Sequence, residues 1–126
     1  MTSPLRAADI SGELQALWAD AFGRQEWEFL ASLYTDDAQL FGGKPDLFTS
    51  REGVRRYFEA MPPGAALTAK FGAQHVVQIA PDVIVSAGDV AFRRAGALEP
   101  RQHRITLVIA NRAGQWRIAS HHASPK

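Results

Sequence analysis

Residues 104–124 read RITLVIANRAGQWRIASHHAS, and this stretch decides the fold of the 126-residue chain. A run of β-forming residues over 101–112 is followed by Ala113-Gly114 and by a second such run over 115–123. Two β-rich segments joined by a two-residue turn that contains glycine are typical of a β-hairpin. The sequence therefore predicts that the chain ends in an antiparallel hairpin.

The front of the chain has the periodicity of helices instead. Apolar residues recur at helical spacing over 14–22, and Gly23 is suited to end that first helix. A second short helix is expected from about residue 25. A turn at 35–37, where Asp36 and Asp37 would cap local backbone N–H groups, and a short strand over 38–41 are expected next.

A third helix is expected to open at Ser50, which has the character of an N-cap, and to end at 62–64, Pro-Pro-Gly. Two further strands are then expected over 67–79, with Gly72 at a bulge, and over 83–94. Helices first and a run of antiparallel strands afterwards predict an α+β fold.

Composition indicates one globular domain over 1–126, with 1–8 a flexible N-terminus. The chain is 46% hydrophobic and 21% charged, and no apolar run approaches the roughly 20 residues that a membrane-spanning helix needs. The start lacks the pattern of an export signal, so we expect a cytoplasmic protein. Cysteine is absent, which excludes disulfides, thiolate zinc sites and thiol nucleophiles.

Charge is unevenly distributed along the chain. Residues 1–60 carry ten acidic and six basic side chains, whereas 61–126 carry three acidic and eight basic ones. This split follows the boundary between the helical half and the sheet half. Because the basic half has no basic face interleaved with aromatic residues, we expect no nucleic-acid partner.

The tail resembles the last hairpin of the SnoaL-like group in the nuclear transport factor 2-like superfamily, also called the cystatin-like or cone fold. The resemblance rests on the Gly-x-Trp-Arg-Ile start at 114–118 and on the histidine-rich end. Trp18, the LYTDDA segment at 33–38 and the SREG helix start at 50–53 are similar too, so it covers roughly residues 8–124.

Membership of this group implies three N-terminal helices packed on a strongly curved antiparallel sheet that forms a cone with an internal pocket. It also implies a homodimer made through the sheet. The group includes the association domain of calcium/calmodulin-dependent protein kinase II and many small bacterial proteins of unassigned role. The fold alone implies no reaction, because it hosts isomerases, cyclases, dehydratases and non-catalytic binders.

Some family positions are changed in this chain. The steroid isomerase relatives place a catalytic aspartate where this sequence has Gly42, and an oxyanion-binding tyrosine where it has Trp18. Their mechanism is therefore not expected. In the branch of the kinase association domain, histidine usually occupies the position of Ser120, and His122 matches the second histidine of that pattern.

Strand alternation places Ser120 and His122 on one face of the last strand and His121 on the other. Two consecutive histidines therefore diverge, and no further ligand pair has metal-binding spacing, so no metal is expected. The family pattern turns Arg104 and His122 into the pocket. The opposite, more apolar face of the strand over 101–112 would then form the dimer interface, with Ile105, Leu107 and Ile109.

Asp89 interrupts an otherwise apolar strand. Inside the pocket it would pair with Arg104 or orient His122 as an acid–base dyad, and an outward position on an exposed strand stays open. His75 is a pocket residue or a structural one. The residues predicted to bind ligand are Trp18, Tyr34, Phe41, Tyr57, Phe58, His75, Arg104 and Ser120.

Two functions remain open. The first is small-molecule binding, with cofactor-free isomerase, cyclase or dehydratase chemistry on an apolar, partly anionic ligand. His122 would then be the acid or base, Asp89 would orient it, and Arg104 would anchor a carboxylate or enolate. The alternative is a non-catalytic oligomerisation or association module. Arg93-Arg94 and Arg101 form either an anion patch or a solvated hairpin end.

Overall fold

The computed structural model describes residues 6–61 and 67–126. The N-terminal residues 1–5 and the Pro-Pro-Gly segment at 62–64 lie outside these ranges, so the flexible start and the stop of the third helix are only partly covered. No helix in the described ranges is long and apolar enough to cross a membrane.

Three helices form from the front half, as the periodicity predicts. They are α1 (Ala7–Arg24), α2 (Trp27–Ser32) and α3 (Ser50–Glu59). The prediction that Gly23 ends α1 is wrong, because the helix continues one residue further and Gln25 adopts the left-handed conformation, with φ 58°. The helix α3 begins with Ser50 and has Thr49, not Ser50, as its N-cap; Ser50 Oγ accepts a hydrogen bond from the Gly53 N–H at 3.1 Å within the first turn.

Six strands form one curved, open sheet. They are β1 (Tyr34–Phe41), β2 (Phe48–Thr49), β3 (Leu67–Ala80), β4 (Val83–Arg94), β5 (Arg101–Arg112) and β6 (Gln115–Pro125). The order is β2-β1-β6-β5-β4-β3, and all neighbours are antiparallel except the parallel pair β1–β6. The α+β prediction is confirmed.

The C-terminal hairpin turns at Ala113 and Gly114, with φ of 55° and 81°. Positive φ at both turn residues matches the right-handed twist of the flanking strands. By contrast, the predicted turn at 35–37 is wrong, since these residues belong to β1. Instead of capping backbone groups, Asp36 and Asp37 lie 3.7 and 2.7 Å from the guanidinium of Arg112.

A β-bulge in β6 reverses the alternation that the sequence predicts. Ile118 pairs with Ile109, but the next partner of β5 is Ser120, opposite Val108, so Ala119 is an extra residue. An extra residue in one strand shifts the following side chains to the opposite face of the sheet. As a result His121 is buried on the inner face, with 5% exposure, and His122 is exposed on the outer face.

The core lies between the inner face of the sheet and the helices. Ile105, Leu107 and Ile109 of β5 are buried there, alongside Trp18 and Leu14 of α1. The prediction that these β5 residues face a dimer partner is therefore wrong. The physical reason is that each Å² of apolar surface buried against the helices stabilises the folded chain by about 25 cal/mol, so the apolar face of β5 packs inward.

Candidate ligand-binding site

A cavity of about 480 Å³ opens between α1, α3 and the inner face of the sheet. Its walls come from both helices and from strands β1, β3, β4, β5 and β6. The residues that line its interior are Trp18, Phe22, Leu40, Tyr57, Phe58, Met61, Phe92, His121 and Ala123. A volume of this size is typical of small-molecule sites.

The wall is built from interlocked aromatic rings. Trp18 stacks on Phe22 with ring centroids 4.9 Å apart and meets Phe58 edge-on at 5.9 Å. Phe58 in turn contacts Tyr57 at 5.0 Å, and Phe22 contacts Phe92 at 5.5 Å. Such pairs prefer these offset and edge-to-face geometries, so the wall presents a preformed apolar surface.

Three buried side chains form a hydrogen-bonded chain that ends at the cavity. Trp18 Nε1 donates to the Tyr34 hydroxyl at 2.9 Å, and that oxygen lies 2.7 Å from His121 Nδ1. Trp18 and Tyr34 are essentially inaccessible, with exposures of 2% and 0%. The chain links α1, β1 and β6; Trp18 and His121 line the cavity, and Tyr34 lies between them behind the lining.

The direction of these bonds determines which ring nitrogen of His121 carries hydrogen. The Trp18 indole is only a donor, so the Tyr34 oxygen accepts from it, and the Tyr34 O–H is left to donate to His121 Nδ1. An imidazole that accepts at Nδ1 is neutral and protonated at Nε2. The arrangement therefore holds His121 as the Nε2–H tautomer.

His121 Nε2 has no protein partner in the part of the chain that is described. Over the same ranges, Thr35 Oγ1 is the one buried side-chain polar atom without a hydrogen bond, so Nε2 is open to the cavity. His121 thus offers one N–H donor to a cavity whose interior is otherwise largely apolar.

Burial keeps this chain uncharged. Removal from water, with a smaller contribution from neighbouring His122, lowers the pKa of His121 to about 3. Burial likewise raises the pKa of Tyr34 well above its ordinary value, although the Trp18 hydrogen bond acts in the opposite direction. At neutral pH both groups are therefore neutral.

Tyr57 supplies a second hydroxyl to the cavity. Its oxygen accepts a hydrogen bond from the Gly43 N–H at 2.8 Å, which leaves its own O–H free to donate. Gly42 makes this contact possible, because a Cβ at that position would overlap the Tyr57 hydroxyl. Gly42 thus provides room for the Tyr57 hydroxyl.

Charged side chains gather at the mouth of the cavity, around the connection between β4 and β5. Arg94, Glu99, Arg101 and His103 all line this rim. The sequence shows Arg94 and Arg101 as a hairpin pair, but the alternation of β4 and β5 is what turns both toward the rim. Local sequence alone does not place Arg94 and Arg101 at the cavity, because it does not show which face of β5 points inward. His103, two residues after Arg101 on the same face, lines the cavity as well.

Three predicted ligand residues, Trp18, Tyr57 and Phe58, line the cavity. Tyr34 lies directly behind the lining and acts through His121. Unbroken alternation along β6 predicts His122 in the cavity, whereas the bulge at Ala119 places His121 there. The signal that could have identified it is the small, weakly β-forming pair Ala119-Ser120 at the bulge.

The remaining predicted site residues lie outside the cavity. The predicted inward orientation of Arg104 and His122 is wrong: both are exposed on the outer face, since β5 buries its apolar residues and β6 carries the bulge. Asp89 is also on the outer face, where its carboxylate pairs with Lys126 at 3.1 Å, not with Arg104 or His122.

The aromatic and polar candidates at the strand surfaces are placed similarly. Phe41 is 44% exposed and rests beside the His122 ring on the outer face, with centroids 5.8 Å apart. His75 is exposed on β3, and Ser120 is half-buried at the bulge. None of the three is among the residues that form the described cavity wall.

Among residues 6–61 and 67–126, no group of three or more His, Asp or Glu side chains could hold a metal ion.

Comparison with known families agrees with this architecture. The model of the SnoaL-like domain matches residues 13–126. The chain belongs to the SnoaL-like family. No curated protein sequence matches the chain.

Several solved structures have the same fold as this SnoaL-like chain. A Xanthomonas campestris protein, provisionally named a calcium/calmodulin dependent protein kinase II association domain, is 25% identical, with a TM-score of 0.83 over 98% of this chain and 89% of that one.

Two more distant structures share the fold alone. An NTF2-like protein with a cystatin-like fold from Novosphingobium aromaticivorans is 13% identical, with a TM-score of 0.83 over 94% and 81% of the two chains. A provisionally assigned dehydratase of the NTF2-like family from Streptomyces avermitilis is 17% identical, with a TM-score of 0.80 over 95% and 96%. The predicted family and cone fold are thus confirmed.

Proposed function

We propose that this protein binds a flat, largely apolar small molecule inside the cone and holds an oxygen of that molecule through His121 Nε2–H. The observation that carries the proposal is the Trp18–Tyr34–His121 chain. Its three buried polar side chains are hydrogen-bonded to one another, and together they leave one donor, His121 Nε2–H, without a protein partner among the described residues. A buried polar network of this kind is costly unless every member is satisfied. A ligand oxygen would satisfy the last member.

The aromatic wall supports the apolar part of the ligand. Trp18, Phe22 and Phe58 are held by each other, so the edge of the wall that they present to an apolar ligand requires little reorganisation. The Tyr57 hydroxyl supplies a second donor on the same cavity. Carbonyl, hydroxyl and quinone oxygens are the acceptors that two neutral donors suit.

The chemistry that this site favours is polarisation of a carbonyl without a cofactor. A neutral imidazole with a depressed pKa acts as a hydrogen-bond donor to developing negative charge, not as a cationic acid. Isomerisation and dehydration next to a carbonyl both pass through such charge. In this proposal His121 takes the place that the sequence pattern assigned to His122, and Asp89 has no part.

Binding can be tested with two naphthalenes of similar size. Isothermal titration calorimetry would compare 2-acetylnaphthalene, which has a ketone oxygen, with 2-ethylnaphthalene, which has none. We expect the wild type to prefer the ketone by roughly two- to tenfold, the range of one net hydrogen bond. In Tyr34→Phe, which frees the His121 ring, the preference should shrink toward one while the ethyl compound still binds.

Two further variants locate the site. Ala123→Phe places a ring in the cavity and should weaken both compounds, whereas His122→Ala changes only the outer face and should affect neither. Circular dichroism establishes that each variant is folded. Lack of saturable binding of both naphthalenes, or binding unchanged by Ala123→Phe, would overturn the proposal.

A homodimer through the outer face of the sheet is the second candidate, consistent with the association-module alternative. Val77, Val85 and Val108 stand opposite one another on β3, β4 and β5 and form an apolar row on that face. Val77 is 42% exposed. We expect sedimentation equilibrium to give a dimer that Val108→Glu dissociates. Leu98→Glu in the exposed β4–β5 connection is the control, and a wild-type monomer at micromolar concentration would contradict the candidate.

A further inference from the structure

We infer that the rim of the cavity binds a carboxylate, so that the preferred ligand is an aromatic monoanion held with its charge at the mouth and its neutral oxygen at His121. This inference rests on the proposed function and adds the class and the orientation of the ligand. The carrying observation is that Arg94 and Arg101 both line the mouth.

The two arginines are held on the same side of the sheet. Arg101 stands opposite Phe92, a residue of the cavity wall, and Arg94 lies two positions further along β4 on the same face. Both strands are regular at this point, so alternation alone turns both side chains toward the rim. The positions therefore come from the sheet and not from a loop.

Neither guanidinium pairs with a carboxylate within 4 Å among the described residues, whereas Arg24, Arg55 and Arg112 each do. Residues 1–5 and 62–66 contain no Asp or Glu. The only carboxylate of the rim is Glu99, which leaves the rim with a net charge of +1. One positive charge in excess matches a carboxylate better than a dianionic phosphate, and the planar guanidinium matches its two oxygens.

The interior of the cavity determines the orientation. Its buried part offers the neutral donor of His121 and an aromatic wall, where an anion would lose its hydration without a compensating charge. The mouth keeps water and two cations. A ligand with both groups is therefore expected to enter with its uncharged oxygen first.

The test compares 6-acetyl-2-naphthoic acid with its methyl ester at pH 7.5 by calorimetry. The pair has the same ketone and ring system and differs in one negative charge. We expect the acid to bind the wild type roughly tenfold more tightly than the ester at low salt. In 1 M NaCl the Debye length falls to about 3 Å, so much of this advantage should disappear.

Arg94→Gln and Arg101→Gln should each reduce the preference for the acid, measured as the ratio of the acid and ester affinities of the same variant. Arg104→Gln is the matched control, because it removes the same charge from the outer face of the same sheet, and it should keep the full preference. Two results would overturn this inference alone. One is that the ester binds and the acid binds no more tightly; the other is that Arg104→Gln reduces the preference for the acid as much as the rim variants do. Failure of the ester, 2-acetylnaphthalene and 2-ethylnaphthalene to bind would instead overturn the proposed function.

Discussion

At the scale of single residues, Gly42 controls the position of Tyr57. A Cβ at residue 42 would overlap the end of the Tyr57 ring, whereas a Cβ at Gly43 would stand 3.8 Å from the hydroxyl, an ordinary contact. We predict that Gly42→Ala pushes Tyr57 aside and breaks its bond to the Gly43 N–H. Because the ring end can move, the free energy of unfolding should change by less than about 1 kcal/mol.

The expected result is therefore a loss of affinity with little loss of stability. Calorimetry with 2-acetylnaphthalene should show roughly a two- to tenfold weaker complex for Gly42→Ala. Gly43→Ala, with space for its methyl group, serves as the comparison. Equal affinities in the two variants would show that Tyr57 makes no contact with the ligand.

His121 shows what a single residue of register does to a functional prediction. The alternation rule assigns His122 to the pocket, and the rule is correct for every position of β6 up to Ile118. The extra residue Ala119 then exchanges the two histidines. The fold survives this error because both assignments keep the same strand, but the identity of the site residue does not.

At the scale of elements, the pairing of β3 with β4 depends on a close approach at Gly88. The strands shift register between Phe71 and Gln74, which confirms the bulge predicted at Gly72. A Cβ on Gly88 would overlap the Ala73 carbonyl and come within 2.7 Å of the Gln74 amide. Backbone cannot yield as easily as a side-chain end.

Gly88→Ala should therefore destabilise the protein by about 2–4 kcal/mol in urea unfolding. Part of the loss comes from Gln74. Its Nε2 donates a hydrogen bond to the Asp89 carbonyl at 2.8 Å, and its Oε1 accepts one from the Ser86 hydroxyl at 3.2 Å. Gly12→Ala on the open surface of α1 is the counterpart, and it should stabilise by about 0.5–1 kcal/mol through helix propensity. If Gly88→Ala left the free energy of unfolding unchanged, the bulge would be able to rearrange without cost, and the prediction would be wrong.

Elements differ in how well local sequence predicts them. The C-terminal hairpin is predicted well because Ala113-Gly114 sets its turn and register within a few residues. The turn expected at 35–37 is wrong because the Asp-Asp pair suggests a cap, whereas in the structure β1 runs through these residues and the Arg112 guanidinium lies against both carboxylates. Arg112 lies some 75 positions further along the chain, beyond the reach of any local pattern.

At the scale of the whole molecule, the charge split of the sequence has a structural meaning. The basic half supplies β3 to β6, four of the six strands, and its described arginines are exposed or half-buried, whereas burial keeps His121 and Tyr34 neutral. Charge reaches the cavity only at its mouth, through Arg94, Arg101 and Glu99. The interior can therefore discriminate ligands by shape and hydrogen bonding, and the rim by charge.

Keeping His121 neutral also makes the stability of the whole molecule depend on pH. Its pKa is about 3 when folded and about 6.5 in an unfolded chain, so between these values the unfolded state binds the proton more readily. The free energy of unfolding should therefore fall as the pH is lowered through 6.5. Between pH 7 and pH 5 the expected loss from this residue is about 2 kcal/mol.

Urea unfolding at the two pH values measures this loss, in a window that lies above the ordinary pKa of carboxylic acids. His121→Gln keeps an acceptor for Tyr34 but cannot titrate, so its stability should lose most of the pH dependence whatever its value at pH 7. His122→Gln, one residue away on the outer face, should retain the dependence of the wild type. If instead His122→Gln abolished the dependence and His121→Gln kept it, His122 and not His121 would be the buried member of the pair, and the bulge at Ala119 would be misplaced.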